Sequence, residues 1–407
     1  MTEKPTWSLK PSDAKIYLQN LLENIPDVLY FKDRESRFKL LNDTCIKKHG
    51  FEDMSEAIGK SDADVFTEEH AVQAYKDEQD IIETGKLVTG IEEKETWPDG
   101  SVTWVSTTKM PLKDQDGSVI GTFGISRDIT AKKEAELLAA AYANEIKRLK
   151  DAMEEDVRMA GELQKAFFPT SYPVFPPGVS AEESRLDMAH FNQSSGIVGG
   201  DLCSIKRISK HEAGILLCDV MGHGVRAALG TAIIRSLVEE LSPIETDPGE
   251  FMTHMNSRIC PIFRQSEDMM FITAIYVIID TISGKIRFAS AGHPMPLLHS
   301  NLVNPTGIPS NAPKNPALAL IEDFQYETVE RSLDPGDLML LYTDGTYETC
   351  NAENEQYGVA QMKQILSANS DRPVSEILDC ILADMKNFSG ATDFEDDVCM
   401  VGLKWMG

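Results

Sequence analysis

Apolar positions change their spacing along the chain, and the changes divide it. Short apolar runs lie at Val28-Leu29-Tyr30-Phe31 and Phe38-Lys39-Leu40-Leu41, flanking residues 33–37. Further runs at 92–97, 102–109 and 119–125 are joined through Asp99-Gly100 and Asp116-Gly117. Asp-Gly between such runs is a strong hairpin signal, so they predict an antiparallel sheet. A helical stretch over 67–84 interrupts it. From Thr130 to Phe167 the composition is that of one long helix, free of Pro and with Gly161 as its single glycine. Its apolar residues Leu138, Tyr142, Ile146, Leu149, Met153, Val157 and Ala160 are spaced 4-4-3-4-4-3. This eleven-residue repeat predicts a nearly straight or slightly right-handed parallel pair of helices, hence a dimer.

Beyond residue 179 strands and helices alternate. Strands are predicted near 188–191, 202–208, 213–220, 271–280, 286–291, 325–331, 338–343 and 398–404. Helices are predicted near 225–241, 249–265, 356–368 and 375–387. Two sheets packed face to face with helices outside would bury this content. The expected organisation is a lead-in over 1–16, in which Pro5 and Pro11 prevent one long helix, a first domain over 17–129, a helical linker over 130–169 and a second domain over 170–407. The fold class is α+β.

Composition narrows the partners. The 407 residues carry a net charge of −26, a field that attracts neither nucleic acid nor an anionic membrane. Seven cysteines without a C-x-x-C pair indicate no disulfide framework and no zinc ribbon. The longest apolar run, 271–279, suits a buried strand and is too short to span a bilayer. With a polar N-terminus lacking signal-peptide features, a cytoplasmic location is expected.

The candidate chemistry sits where strands end. Asp201 follows Gly199-Gly200, and Asp219 closes the apolar run 213–218 ahead of Gly222-His223-Gly224. Asp344-Gly345 ends the run 338–343, and Asp396-Asp397 opens the last strand. One such Asp is an ordinary turn residue. Four strand ends each offering an acid point to a shared site for hard divalent cations, which take oxygen ligands from several segments. No Ser, Cys or His set forms a nucleophilic triad. His223 could protonate a leaving oxygen or simply cap its turn, and His293 reads as structural. In the first domain His49 and His70 lie in polar helix ends and read as solvated, and the surroundings of Cys45 differ from those of flavin-binding light sensors. The ligand of that domain stays unknown.

In order, VGGD, CDVMGHG, FITAIY, SAGHP, LLYTDG and FEDDVCMV resemble the PPM-type metal-dependent serine/threonine phosphatases, in their bacterial SpoIIE-like branch, over roughly the last 230 residues. The resemblance implies an α/β/β/α sandwich and two Mn²⁺ or Mg²⁺ ions. Asp201 would bridge them, Asp219 and the Val220 carbonyl would bind one, and Asp344 and Asp396 would complete the other. Asp397 would be a ligand or an orienting acid. The implied substrate is a phosphoserine or phosphothreonine on a STAS-domain anti-sigma-factor antagonist. Ser204 and Cys399 depart from the family pattern, which has an acid and a threonine there. Residues 17–129, closing on GISRDIT, resemble a PAS sensor domain, a family whose exit helices commonly pair.

Other classes fare less well. Gly199-Gly200-Asp201 is shared with diguanylate cyclases, but Leu202-Cys203 stands where their acidic-aromatic pair belongs. A sensor histidine kinase would need a histidine in the linker, and residues 131–169 contain none. A catalytically weak phosphatase-like domain acting as a signal-dependent scaffold is the remaining alternative.

Overall fold

The computed structural model describes residues 10–265, 269–300, 303–307 and 314–407. They form two compact units, Met1–Leu149 and Lys150–Gly407. The first unit begins with α1 (Pro11–Asn24). The sequence reading made Pro11 a break, whereas it starts this helix: at the first position a helix needs no N–H, and the fixed φ of proline suits it. There follow β1 (Val28–Asp33), β2 (Phe38–Leu41), α2 (Asp43–Lys48), α3 (Met54–Ala57), α4 (Glu68–Thr84), β3 (Val88–Thr96), β4 (Val102–Lys113) and β5 (Val119–Asp128). The strands form one antiparallel sheet in the order β2-β1-β5-β4-β3.

His49 is not solvated as expected. Its ring sits among Phe38, Phe51, Phe66 and Trp97, with centroids 5.3–6.1 Å away. Lys47 and Lys48 give the segment its polar look, but the residue after them turns inward at the helix end. Burial pushes the His49 pKa down to about 4; Asp62 opposes this, and Lys32, Lys48 and His70 add to it. The His70 ring likewise meets Phe66, tilted by 57° with the centroids 4.5 Å apart.

The helix α5 (Thr130–Lys165) leaves the first unit, its Thr130 N–H donating to Asp128 Oδ1 at 2.9 Å. Leu138, Tyr142, Ile146, Leu149 and Met153 of the apolar stripe are exposed. Its last turns belong to the second unit, where Gly161 and Gln164 are buried.

The second unit continues with β6 (Leu186–Gln193), β7 (Asp201–Arg207), β8 (Glu212–Val220), α6 (Val225–Leu241), α7 (Pro248–Phe263), β9 (Ile272–Asp280), β10 (Lys285–Ala291), β11 (Leu297–Ser300), β12 (Val303–Gly307), β13 (Val329–Ser332), β14 (Leu338–Tyr342), α8 (Gly345–Glu348), α9 (Gly358–Ala368), α10 (Val374–Ser389) and β15 (Val398–Trp405). Two five-stranded sheets form, β13-β10-β9-β8-β7 and β12-β11-β14-β15-β6. Alternate residues of β9 explain its unbroken apolar run. Ile275, Val277 and Ile279 enter the core between the sheets, with Met339, Leu341 and Val401 opposite. Ala274, Tyr276 and Ile278 meet Ile234, Phe251 and Met255 of α6 and α7. On the far side Leu340 and Met400 pack on Ile377 and Ile381 of α10. The result is the expected α/β/β/α sandwich.

One strand is shorter than predicted. Residues 325–328 do not join β13, because Tyr326 is drawn to α7 through its N–H to Thr253 Oγ1, at 2.9 Å. The short strands β11 and β12 were not anticipated. Among the described residues no helix is long and apolar enough to cross a membrane.

Candidate metal centre

Asp201 opens β7 and Asp219 lies near the end of β8, and the antiparallel register places them directly opposite one another. That pairing follows from the two glycines before Asp201. A Cβ on Gly200 would lie 2.5 Å from the Val220 carbonyl oxygen, and one on Gly199 would lie 2.5 Å from Asp397 Oδ2. Only glycine lets the loop come this close. The second sheet supplies the other acids: Asp344 follows β14, and Asp396 and Asp397 precede β15, the two strands being hydrogen-bonded neighbours.

These acids act on one another. Burial raises the pKa of Asp201 well above the usual carboxylate range, and the Asp219 charge raises it further, against the Thr343 hydrogen bond that lowers it. Asp219 is pushed up to about 7 by burial and then by Asp344, Asp396 and Asp397. Asp344 is raised by burial and by Asp396. Asp201 is buried, Asp219 and Asp344 are half-buried and Asp396 is exposed, and like charges held together in this way are stabilised by a compensating cation or a proton. The donor set, all oxygen and drawn from both sheets, suits Mn²⁺ or Mg²⁺. Among the described residues no three His, Cys, Asp or Glu side chains stand close enough to enclose one ion by themselves. Mg²⁺ sites of one or two carboxylates completed by water have this character.

Thr343 and Gln164 were not legible as supports in the sequence, and Asp397, expected as a ligand or an orienting acid, was legible without its partners. Thr343 donates its hydroxyl to Asp201 Oδ2 at 2.7 Å and accepts from the Cys399 N–H at 2.9 Å, fixing one sheet's acid from the other sheet. Asp397 has both oxygens occupied: Oδ1 accepts from the Ser195 N–H and hydroxyl at 2.7 and 2.9 Å, and Oδ2 from the Gly200 N–H at 2.5 Å. From the other side Gln164, near the end of α5, donates to the Gly199 carbonyl at 2.7 Å and to Thr231 Oγ1 at 2.9 Å, while its Oε1 accepts from the Gly199 N–H at 3.1 Å. A lone Gln in a charged helix carries no signal of such a role. Gly161, one turn earlier, was the available hint: a Cβ there would lie 2.6 Å from the Ile197 carbonyl oxygen.

His223 is exposed between Gly222 and Gly224, which have φ of +93° and +76°. It lines a cleft of about 550 Å³ together with Glu348 and Asp396. His293 is buried instead, its Nδ1 3.0 Å from Thr273 Oγ1. Ser204 Oγ accepts from Arg235 Nη1 at 3.3 Å.

Residues 209–406 match the family described as Stage II sporulation protein E (SpoIIE), and residues 22–134 the family described as PAS fold. The chain joins a PAS-fold domain to a SpoIIE-type PPM phosphatase domain. The SpoIIE match begins eight residues past Asp201, so the place of that aspartate in the SpoIIE-type domain rests on the register with Asp219. The chain is 26% identical over 226 residues to phosphoserine phosphatase RsbP of Bacillus subtilis (strain 168), which covers 54% of this chain and 52% of that protein. It is 23% identical over 254 residues to phosphoserine phosphatase RsbU of the same organism, covering 61% of this chain and 71% of that protein. The chain thus spans about half the length of the first relative. The SiaA-PP2C domain of Pseudomonas aeruginosa superposes with a TM-score of 0.53 at 19% identity, covering 63% of this chain and 98% of that one, a likeness of fold.

Proposed function

We propose that the SpoIIE-type domain hydrolyses phosphoserine or phosphothreonine on a regulatory protein, with two divalent ions, under control of the PAS-fold domain. The observation that carries this is the convergence of Asp201, Asp219, Asp344 and Asp396 from four strand ends, each raising or facing the others' charge. Asp201, Asp219, the Val220 carbonyl, Asp344 and Asp396 would hold the ions. When bound, such a pair polarises water toward phosphorus and neutralises phosphoryl oxygens. The chain's own residues position and exclude. Thr343 holds the Asp201 carboxylate in one orientation, and Asp397 fixes the Gly199–Gly200 backbone as an orienting acid, both its oxygens being taken. His223, which lines the same cleft as Asp396, would donate a proton to a departing serine oxygen. The names of RsbP and RsbU support the reaction class. For the substrate, the family resemblance favours a phosphorylated STAS-domain antagonist, and the exposed stripe of α5 favours a homodimer.

A second reading, a weakly active domain serving as a switchable scaffold, draws on the absence of a preformed three-ligand cage among the described residues. Hydrolysis of p-nitrophenyl phosphate with Mn²⁺ separates the two. The phosphatase reading expects turnover that Asp219→Ala abolishes and that Asn at Asp201, Asp344 or Asp396 lowers by orders of magnitude. Metal-independent turnover, or activity retained in three of the four variants at saturating Mn²⁺, would eliminate it.

A further inference from the structure

The inner face of the PAS-fold sheet carries charge where an apolar core would be cheaper to bury. Lys32 of β1, Glu95 of β3, Lys109 of β4 and Glu78 of α4 are all buried, with Asp62 beside them. Buried ion pairs seldom gain enough from attraction to offset their desolvation, so such a set is weak support for stability alone. Most of its members are paired. Lys32 Nζ lies 2.5 Å from Asp62 Oδ2 and 2.6 Å from Glu78 Oε1. Lys109 reaches Glu93 at 2.9 Å and Asp77 at 3.4 Å, and Lys48 reaches Glu95 at 2.8 Å.

One atom is left over. Glu78 Oε2, on a side chain 1% exposed, makes no hydrogen bond of ordinary geometry; burial raises the Glu78 pKa, against Lys32 and the nearby Ser36 hydroxyl. An acceptor left unmade in the interior is expensive. Glu78 lines an internal void of about 30 Å³, enough for one water-sized group. Four acids, Asp62, Glu78, Glu93 and Glu95, face that void against Lys32 and Lys109, and Lys48 pairs with Glu95, so one carboxylate charge is left over. Asp62 also forms part of the wall of a larger cleft of about 480 Å³, whose other walls include Glu68, Ala71, Val72 and Tyr75 and no Lys or Arg. That volume suits a small molecule.

The two spaces share one wall and one sign of charge. The inner one holds an acceptor without a partner of ordinary geometry, Glu78 Oε2, and the outer one offers an apolar surface. An anion would meet the acids, while both lysines already have carboxylates. A neutral alcohol could donate one hydrogen bond but would leave the surplus negative charge in place. We propose that the PAS-fold domain binds a small primary alkylamine, its ammonium on Glu78 and Asp62 and its alkyl chain along Ala71, Val72 and Tyr75. The aromatic ring of Tyr75 and the methyls of Val72, both exposed in the cleft, would be covered by that chain. This reading does not depend on the chemistry proposed for the SpoIIE-type domain.

Isothermal titration of the full-length chain with methylamine, butylamine, butan-1-ol and butyrate at neutral pH tests it. Butylamine is expected to bind at least tenfold tighter than methylamine, and butanol and butyrate to give no heat. Glu78→Gln keeps the shape and removes the charge, and should weaken butylamine at least tenfold in a protein whose circular dichroism is unchanged. Should that variant unfold, Tyr75→Ala decides, since it alters an exposed wall: butylamine should weaken several-fold and methylamine should not. No heat from any amine, butanol binding as tightly as butylamine, unchanged affinity in folded Glu78→Gln, or unchanged butylamine affinity in Tyr75→Ala would each overturn the proposal.

Discussion

Thr343 carries none of the chemistry that marks a metal site, yet it joins the two sheets at the acid cluster through Asp201 and the Cys399 N–H. Thr343→Val removes the hydroxyl at nearly constant volume and leaves buried Asp201 Oδ2 without that donor. Losing such a bond costs about 1–3 kcal/mol. Groups that orient ligands typically change metal affinity 10–100-fold. A Mn²⁺ titration of activity should therefore shift to higher concentration by about tenfold or more, with the rate at saturating metal within a few-fold of wild type. A collapse of the saturated rate would instead give Thr343 a part in the chemistry. His49 provides a test of a different kind. Burial lowers its folded pKa to about 4, beneath the unfolded value of about 6.5. Its neutral form is favoured by the fold, so its contribution is complete above pH 6.5 and is lost as pH falls toward 4. The loss is on the order of 3 kcal/mol at most. Urea melts of wild type and His49→Gln should converge as pH drops from 7 to 4, because the glutamine has no proton to take up. Parallel curves would mean that His49 titrates as it does in water.

At the level of elements, the sequence was most readable where one pattern had one explanation. β9 is apolar on both faces because it has a core on each, and strand ends carrying Asp after an apolar run fell where expected. Readability failed where a distant partner decides. Residues 325–328 have strand composition, but Thr253 on α7 takes the Tyr326 N–H, and no local pattern announces that. His49 looked solvated because two lysines precede it, while its partners Phe66 and Trp97 lie far along the chain. The contacts that support the acid cluster were hidden for the same reason: Asp397 bonds Ser195 and Gly200, about two hundred residues away. Gln164 makes the most consequential of these. It clamps Gly199 by two hydrogen bonds and reaches Thr231 on α6 by a third, so the end of α5 sets the backbone from which Asp201 projects. Gln164→Met keeps size and helix propensity and removes all three. The expected outcome is a Mn²⁺ requirement raised about tenfold, with little change in the thermal melt beyond a few degrees. An unaltered metal titration would reduce Gln164 to a packing residue.

On the scale of the whole molecule, α5 is the one element that belongs to both units, and its sequence has a regularity that neither needs for its own core. Leu138, Tyr142, Ile146, Leu149 and Met153 continue the 4-4-3 spacing while remaining exposed in a single chain. An apolar stripe kept in phase over this length is what pairing with a second copy requires, and a helix of polar periodicity would serve a tether equally well. The same helix carries Gln164 in its last turn, and control by rotation of the helix would act on Gly199 through it. A helix advances about 100° per residue, so one residue inserted near Asn144 puts everything downstream out of phase. Eleven inserted residues restore the phase and lengthen the helix by roughly 16 Å. The single insertion should hold the Mn²⁺-dependent rate at one fixed level, high or low, whatever the state of the PAS-fold domain. The eleven-residue insertion should keep the rate and its regulation, with light scattering showing a dimer in both. If rate and regulation are the same in wild type and both insertions, α5 is only a tether, and control must reach Asp201 by some route other than Gln164.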